Sequence, residues 1–158
     1  MAQIQKIVVP TDFSNYSKHA LKYAVALAQS FRAKVYVVHV HDSYPEGAAF
    51  EGMYFDSGVL AKLESKAEEN LNSIVDYLRA QNIDAEAVLG KGRPYVEIVR
   101  QAEKLKADVI VIATHGRKGA SHLIFGSTAE RVVRMASCPV LTVKHPEHEF
   151  VSEDPSRT

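Results

Sequence analysis

Glycine and hydroxyl residues in the last third of the chain have a spacing that could hold phosphate. Gly116 is followed, after nine residues, by Gly126 and Ser127. Ser127 and Glu130 have the spacing of a capping box, which predicts a helix that begins here. Unpaired N–H groups and the helix dipole attract anions at such a point, and a glycine lets a bulky anion approach the backbone. The pattern predicts either a phosphate cradle, to which Arg117 adds positive charge, or a plain turn followed by a helix cap.

A carboxylate follows the first apolar run of the chain. Pro10, Thr11 and Asp12 come directly after residues 7–9, which predict a central strand. Asp12 would then lie at the carboxyl end of that strand, where acidic side chains of other nucleotide-binding folds accept hydrogen bonds from ribose hydroxyls. The alternative is that Thr11, Asp12 or Ser14 caps the first helix.

The sequence offers no comparable pattern for catalysis or for a metal held by the protein. It contains no Gly-x-x-x-x-Gly-Lys-Ser/Thr loop and no Gly-x-Ser-x-Gly elbow. His39 and His41 are two apart on a predicted strand, but no cysteine or carboxylate joins them at a familiar ligand spacing. Cys138 precedes a proline at a predicted strand start, a setting more typical of a small buried residue than of a reactive thiol. We therefore expect a binding site with no catalytic residue and no protein-held metal.

Five runs rich in β-branched residues predict the strands that would position these segments. They are residues 7–9, 35–40, 85–89, 109–112 and 140–143. Most are continuously apolar, which is typical of parallel strands covered on both faces, whereas the third alternates, as a strand near an edge would. Helical periodicity fills each gap, so strands and helices are predicted to alternate along the whole chain.

This order predicts the α/β fold class with three layers. We expect a doubly wound, five-stranded parallel sheet of Rossmann-like type, with strand order 3-2-1-4-5 and helices on both faces. Ligands of such sheets bind beyond the carboxyl ends of the strands, at the point where the strand order reverses. Both candidate segments are predicted to lie at that end.

Composition narrows the class of protein. The 158 residues suffice for one domain, which we assign to residues 1–145, with 146–158 as a polar, loosely ordered tail. Nineteen acidic residues balance nineteen basic ones, which argues against a general nucleic-acid binder. No apolar run has the length of a membrane span, and the first residues lack the apolar core of a signal peptide. A single cysteine excludes an intrachain disulfide, and together these features favour a cytoplasmic protein without a membrane partner.

In four segments the chain resembles the universal stress protein family in its ATP-binding form. The segments are residues 7–14, 39–40, 113–127 and 138–143, so that the resemblance spans roughly residues 4–144. The loop of that family reads Gly, two residues, Gly, nine residues, then Gly and Ser or Thr. Only its first glycine is replaced in this sequence, by Ala113.

The resemblance implies a site residue by residue. It implies that the main chain at Val40 meets the adenine edge. Adenosine would lie against residues at the ends of the first and fourth strands: Pro10, Thr11, Asp12, Ile112 and Ala113. The phosphates would be held by the glycine loop and the helix start after it: Gly116, Arg117, Gly126, Ser127 and Thr128. Magnesium would arrive with ATP, bridged by the phosphates.

The resemblance also implies a function, an ATP-occupied switch or adaptor in the stress response with little or no hydrolysis. The last strand, residues 140–143, would pair two subunits into a homodimer. The aromatic-rich loop at residues 42–57 could cover the ligand, contact an unknown protein partner or simply pin itself to the body. Two alternatives stay open: a slow ATPase or other adenine-nucleotide-handling enzyme using the same pocket, and a dimeric interaction module that has lost ATP. Ala113 supports the second, because a methyl group would weaken binding if this position requires a positive φ.

Overall fold

Strands and helices alternate along the chain, as the periodicity predicts. The computed structural model describes residues 3–42, 57–116 and 125–144. The strands are β1 Lys6–Pro10, β2 Lys34–Asp42, β3 Ala85–Gly92, β4 Val109–Ala113 and β5 Val140–Val143. The helices are α1 Asn15–Phe31, α2 Ser57–Ala80, α3 Pro94–Leu105 and α4 Ser127–Met135. Each of the five predicted strands is confirmed.

The strands form one parallel sheet whose order reverses beside β1. The order is β3-β2-β1-β4-β5, which confirms the predicted doubly wound topology. β1 pairs with β2 on one side and with β4 on the other. The reversal therefore lies between β1 and β4, and this is where ligands of doubly wound sheets bind.

The two faces of the sheet bury separate apolar clusters. Val9 and Val111 belong to a cluster with α1 and α2, whereas Val8 and Ile110 belong to a cluster with α3 and α4. Helices thus cover both faces of the central strands, and this explains why the central runs of sequence are continuously apolar. β3 lies at the edge, where its exposed Glu86 gives the alternation expected of an edge strand.

Two helix starts show how local sequence sets the ends of elements. Ser14 caps α1, because its hydroxyl accepts a hydrogen bond from Ser17 N at 3.2 Å. α3 begins at Pro94, a position where the missing N–H removes no helical hydrogen bond. The residue before it, Arg93, has the extended backbone that a residue preceding proline favours, with φ −76° and ψ 124°.

Some predicted features fall on residues that the structure does not describe. They are Arg117, the tail at 146–158 and residues 43–56 of the aromatic-rich loop. The division of the chain into 1–145 and 146–158 therefore stays a prediction. Within the three described ranges, no helix combines the length and the apolar character needed to cross a membrane.

A buried carboxylate ties α3 to β3. Glu97, in the first turns of α3, is only 6% exposed. Its carboxylate accepts hydrogen bonds from Arg100 Nε at 2.9 Å, from Arg100 Nη2 at 2.6 Å and from Gln101 Nε2 at 2.8 Å. Its Cγ occupies the space beside Gly90, where an added Cβ would lie only 2.6 Å away. The hydrogen bonds from Arg100 lower the pKa of Glu97 below its usual 4.5, against the opposing effect of burial.

This lowered pKa gives the stability of the protein a dependence on acid. The charged carboxylate stabilises the fold above pH 4.5, the usual pKa of the group, and this contribution is lost as the pH falls below that value. We expect Glu97→Gln, which cannot titrate, to make the free energy of unfolding vary less with pH in urea titrations between about pH 6 and pH 3. Glu130→Gln is the control, since Glu130 is exposed on the surface of α4. Among the described contacts its carboxylate pairs only with Arg134, at 2.9 Å. Equal pH dependence in wild type and Glu97→Gln would contradict this assignment.

Candidate functional site

The two segments singled out in the sequence meet at the carboxyl ends of neighbouring strands. β1 leads into α1 on one face of the sheet, and β4 leads towards α4 on the opposite face. The chain therefore diverges after these strands, and in doubly wound sheets such a divergence opens the crevice that binds ligands. Asp12 and Gly116 each lie two or three residues beyond the end of their strand.

The turn after β1 is held by its own side chains. The Asp12 carboxylate accepts a hydrogen bond from Ser14 N at 3.0 Å, and the Thr11 hydroxyl accepts one from Phe13 N at 3.0 Å. Thr11 N in turn donates to Val38 O of β2 at 2.8 Å. Phe13 has a left-handed φ of 63°, a conformation that costs free energy in a residue with a bulky side chain. These bonds fix the position of Asp12 relative to the sheet.

Asp12 and Gly116 are in direct contact across the crevice. A Cβ added to Gly116 would lie 2.9 Å from Asp12 Oδ2, closer than real Cβ contacts allow. A larger residue at 116 would therefore have to displace the Asp12 carboxylate, a consequence that the sequence pattern does not reveal. The contact brings the β1 segment and the glycine loop, about a hundred residues apart in sequence, into one site.

Gly126 closes the base of the loop. Its N–H donates to the carbonyl of Thr114 at 2.5 Å, and an added Cβ would lie 3.1 Å from the same oxygen. Thr114 has no exposed surface. It was missed as a site residue because its contribution is a carbonyl oxygen that any residue carries. The absence of a side chain at Gly126 therefore serves loop closure as well as any approach by an anion.

The helix predicted at Ser127 is present, but the predicted capping box is wrong. Gly126 is the N-cap, with extended φ −70° and ψ 156°, and Ser127 is the first helical residue. Glu130 is therefore one residue too far from the cap to complete a box, and its carboxylate pairs with Arg134 instead. Gly126 has no side chain to cap the first turn, so the N–H groups of Ser127 and Thr128 have no capping oxygen from that residue.

The predicted contacts for the base and ribose lie on two faces of the sheet. Val40 and Ile112 belong to the cluster on the α3 and α4 side and are 9% and 5% exposed. Ala113 belongs to the opposite cluster, packed with α1 and α2. As the last residue of β4 it has an extended backbone, not a positive φ. The condition under which its methyl group would weaken binding is therefore not met.

The remaining predicted residues lie near the crevice or outside the described ranges. Pro10 is the buried last residue of β1, and Thr128 is a half-buried residue in the first turn of α4. Arg117 is not among the described residues. The Nδ1 of His39 donates to the carbonyl of Thr11 at 2.8 Å, so this ring supports the turn after β1. Within residues 3–42, 57–116 and 125–144, no group of three or more potential ligands is placed to hold a metal ion.

Comparison with known proteins agrees with this fold. The profile of the universal stress protein family matches residues 3–144. Universal stress protein MJ0531 of Methanocaldococcus jannaschii is 38% identical over 146 residues, covering 92% of this chain and 85% of that protein. The solved structure of MJ0577, from the same organism, matches with a TM-score of 0.81 at 28% identity, covering 93% of this chain and 100% of that chain. A universal stress protein from Archaeoglobus fulgidus, solved in complex with dAMP, matches with a TM-score of 0.63 at 25% identity, covering 90% of this chain and 98% of that chain. The chain therefore belongs to the universal stress protein family.

Proposed function

We propose that this chain binds ATP in the crevice between β1 and β4 and acts as a nucleotide-occupied switch or adaptor. The observation that carries the proposal is the meeting of three features at one point: the Asp12 carboxylate, the Gly116 backbone and the start of α4. Each suits a different part of a nucleotide, because a carboxylate accepts from ribose hydroxyls and a helix start attracts phosphate.

The proposed orientation follows from where the polar and apolar groups lie. Val40 and Ile112 offer an apolar face for the base, with the main chain of Val40 at its polar edge. Asp12 faces the ribose, and the phosphates extend along Gly116 towards Ser127 and Thr128. Pro10 and Thr11 complete the adenosine side, Ala113 contributes main chain only, and Arg117 adds charge beside the phosphates. The described residues offer no cluster of metal ligands, so magnesium would come bound to ATP.

The chemistry of a relative supports the ligand class. The Archaeoglobus fulgidus protein was solved with dAMP, an adenine nucleotide that carries one phosphate. The N–H groups at the start of α4 would extend the same kind of binding to a longer phosphate chain. Efficient hydrolysis needs a group that orients water at the terminal phosphate, and the proposed orientation places Asp12 at the ribose instead. We therefore assign the site to binding, with hydrolysis slow or absent.

The apolar edge of the sheet supports a dimer. Val140–Val143 forms β5 at the end of the sheet, paired on one side only with β4 among the described strands. An edge strand of this composition invites pairing with another strand. We propose that two copies pair through β5 in a cytoplasmic homodimer. A protein partner would then sense the occupied state.

Native mass spectrometry of the freshly purified chain tests both parts of the proposal. We expect a mass of two subunits, each with one ATP bound. A protein stripped of nucleotide should rebind ATP at or below millimolar concentration and should gain thermal stability in proportion to the logarithm of the ATP concentration. GTP is the matched control, because it has the same phosphates but a different base edge. Binding of neither ATP, ADP nor AMP at millimolar concentration would overturn the proposed ligand. Turnover of ATP with magnesium at rates typical of enzymes would overturn the switch.

A further inference from the structure

α4 packs against α3 as well as against the sheet. α4 has nine residues, of which Ala129 and Val132 are buried. Both pack in the cluster that contains Ile98 and Ala102 of α3. A helix of this length with so narrow a buried stripe can shift or rotate on its support, because little apolar surface resists the movement. The orientation of its first turn therefore needs a further contact.

A cation over an aromatic ring provides such a contact. The guanidinium carbon of Arg131 lies 4.8 Å from the centroid of the Tyr95 ring. Tyr95 is the second residue of α3 and packs partly buried against the same cluster as Ala129. Arg131 lies one turn after the start of α4. The contact thus joins the amino-terminal ends of the two helices, at the carboxyl edge of the sheet.

α3 is itself anchored beside the proposed base contact. Gly90 is the β3 partner of Val40 in the parallel register, and the space beside Gly90 holds the buried side chain of Glu97. A continuous series of contacts therefore leads from Val40 through Gly90 and Glu97 to α3. The contact between Tyr95 and Arg131 continues the series from α3 to α4. The series links the place proposed for the base to the place proposed for the phosphates.

We propose that Tyr95 and Arg131 form a positioning pair that orients the first turn of α4 towards the phosphates of the nucleotide. This inference rests on the proposed function and goes beyond it, because neither side chain contacts the nucleotide in the proposed orientation. Backbone N–H donors bind an anion well only when they are held in place before it arrives. The pair therefore strengthens binding of the phosphate chain and leaves binding of the nucleoside unchanged.

A double-mutant cycle measured with ATP and with adenosine tests the positioning pair. Tyr95→Leu keeps the charge and removes the ring, whereas Arg131→Gln keeps the ring and removes the charge. We expect each change to weaken ATP binding by about two- to five-fold, the size of a partly exposed cation–π contact. We expect each variant to bind adenosine with the wild-type affinity. The double variant should bind ATP no more weakly than the weaker of the two single variants. Tyr95→Phe, which keeps the ring, should bind ATP like wild type. Isothermal titration calorimetry gives all of these affinities.

Other outcomes would overturn the positioning pair. Weaker ATP binding in Arg131→Gln but not in Tyr95→Leu would mean that the arginine attracts phosphate by its charge alone. An equal loss for ATP and adenosine would mean a general effect on the fold. Hydrogen exchange of the ligand-free protein is an independent readout: Tyr95→Leu should raise exchange of the α4 amides but not of the α1 amides. Unchanged hydrogen exchange in α4 would refute the positioning pair, whether or not the protein binds nucleotide. A wild-type protein that binds no nucleotide would refute the proposed function, and this result is independent of the exchange measurement.

Discussion

Replacing Ser127 with proline is expected to weaken ATP binding by about ten-fold or more without unfolding the protein. Proline removes the backbone N–H of the first helical residue, one of the donors proposed to bind phosphate, and the hydroxyl together with it. A hydrogen bond to a charged group contributes about 1.5–3 kcal/mol, which corresponds to roughly ten- to hundred-fold in affinity. Adenosine, which has no phosphate, should bind the variant as it binds wild type.

The fold should accept proline at this position for reasons that the structure supplies. Ser127 is the first residue of α4, where an N–H has no partner inside the helix. Gly126 before it is already extended, with φ −70° and ψ 156°, as a residue preceding proline must be. The same arrangement occurs naturally at the start of α3, where Pro94 follows the extended Arg93. The thermal midpoint of the ligand-free variant should therefore stay close to that of wild type.

Ser127→Ala is the matched control, since it removes the hydroxyl and keeps the N–H. It should cost less ATP affinity than proline does, and the difference reports the backbone donor alone. Calorimetric titration of ATP, ADP and adenosine into the three proteins measures this difference. Equal ATP affinity in Ser127→Pro and wild type would mean that the start of α4 does not bind phosphate. A bulky residue at Gly126 would be a poorer test, because its Cβ would press on the Thr114 carbonyl whether or not a nucleotide is bound.

The fold could be predicted because its causes are local or simple. Residues 7–9 and 109–112 are continuously apolar because helices cover both sides of β1 and β4. Alternating strands and helices then permit few topologies, and the observed order β3-β2-β1-β4-β5 is among them. The same reasoning placed Asp12 and Gly116 at one end of the sheet, since both follow strands directly.

Details of the site that depend on contacts between distant residues could not be predicted. The Ser127–Glu130 spacing fits a capping box, but closure of the loop onto Thr114 makes Gly126 the cap and moves the helix start by one residue. The glycine at 116 lies beside the Asp12 carboxylate, about a hundred residues away in sequence, and an added Cβ would press on that carboxylate. Ala113 departs from the family pattern, yet its methyl group points into the core on the α1 side, a direction that spacing alone does not give.

Replacing Gly90 with alanine is expected to lower the free energy of unfolding by about 1–3 kcal/mol, the usual cost of forcing an extra group into a packed interior. The added Cβ would lie 2.6 Å from Cγ of Glu97. Cγ is close to the α3 backbone, so it can move away only if the side chain rotates or the helix shifts. Either movement breaks the hydrogen bonds that Arg100 and Gln101 donate to the buried carboxylate. Urea unfolding followed by circular dichroism measures the loss.

The cause can be isolated by repeating the substitution in a Glu97→Ala background. Without Cγ there is nothing left for the new Cβ to strike, so Gly90→Ala should then cost little, and the coupling between the two positions should account for most of the loss. Gly92→Ala is the matched control two residues further along β3. Its Cβ would meet nothing within 4 Å, but Gly92 has a φ of 129°, which strains any other residue. Its cost should therefore be the same with Glu97 or with alanine at 97. If Glu97→Ala reduced the stability loss of both glycine substitutions equally, or reduced neither loss, the Glu97 side chain would not be what requires glycine at position 90.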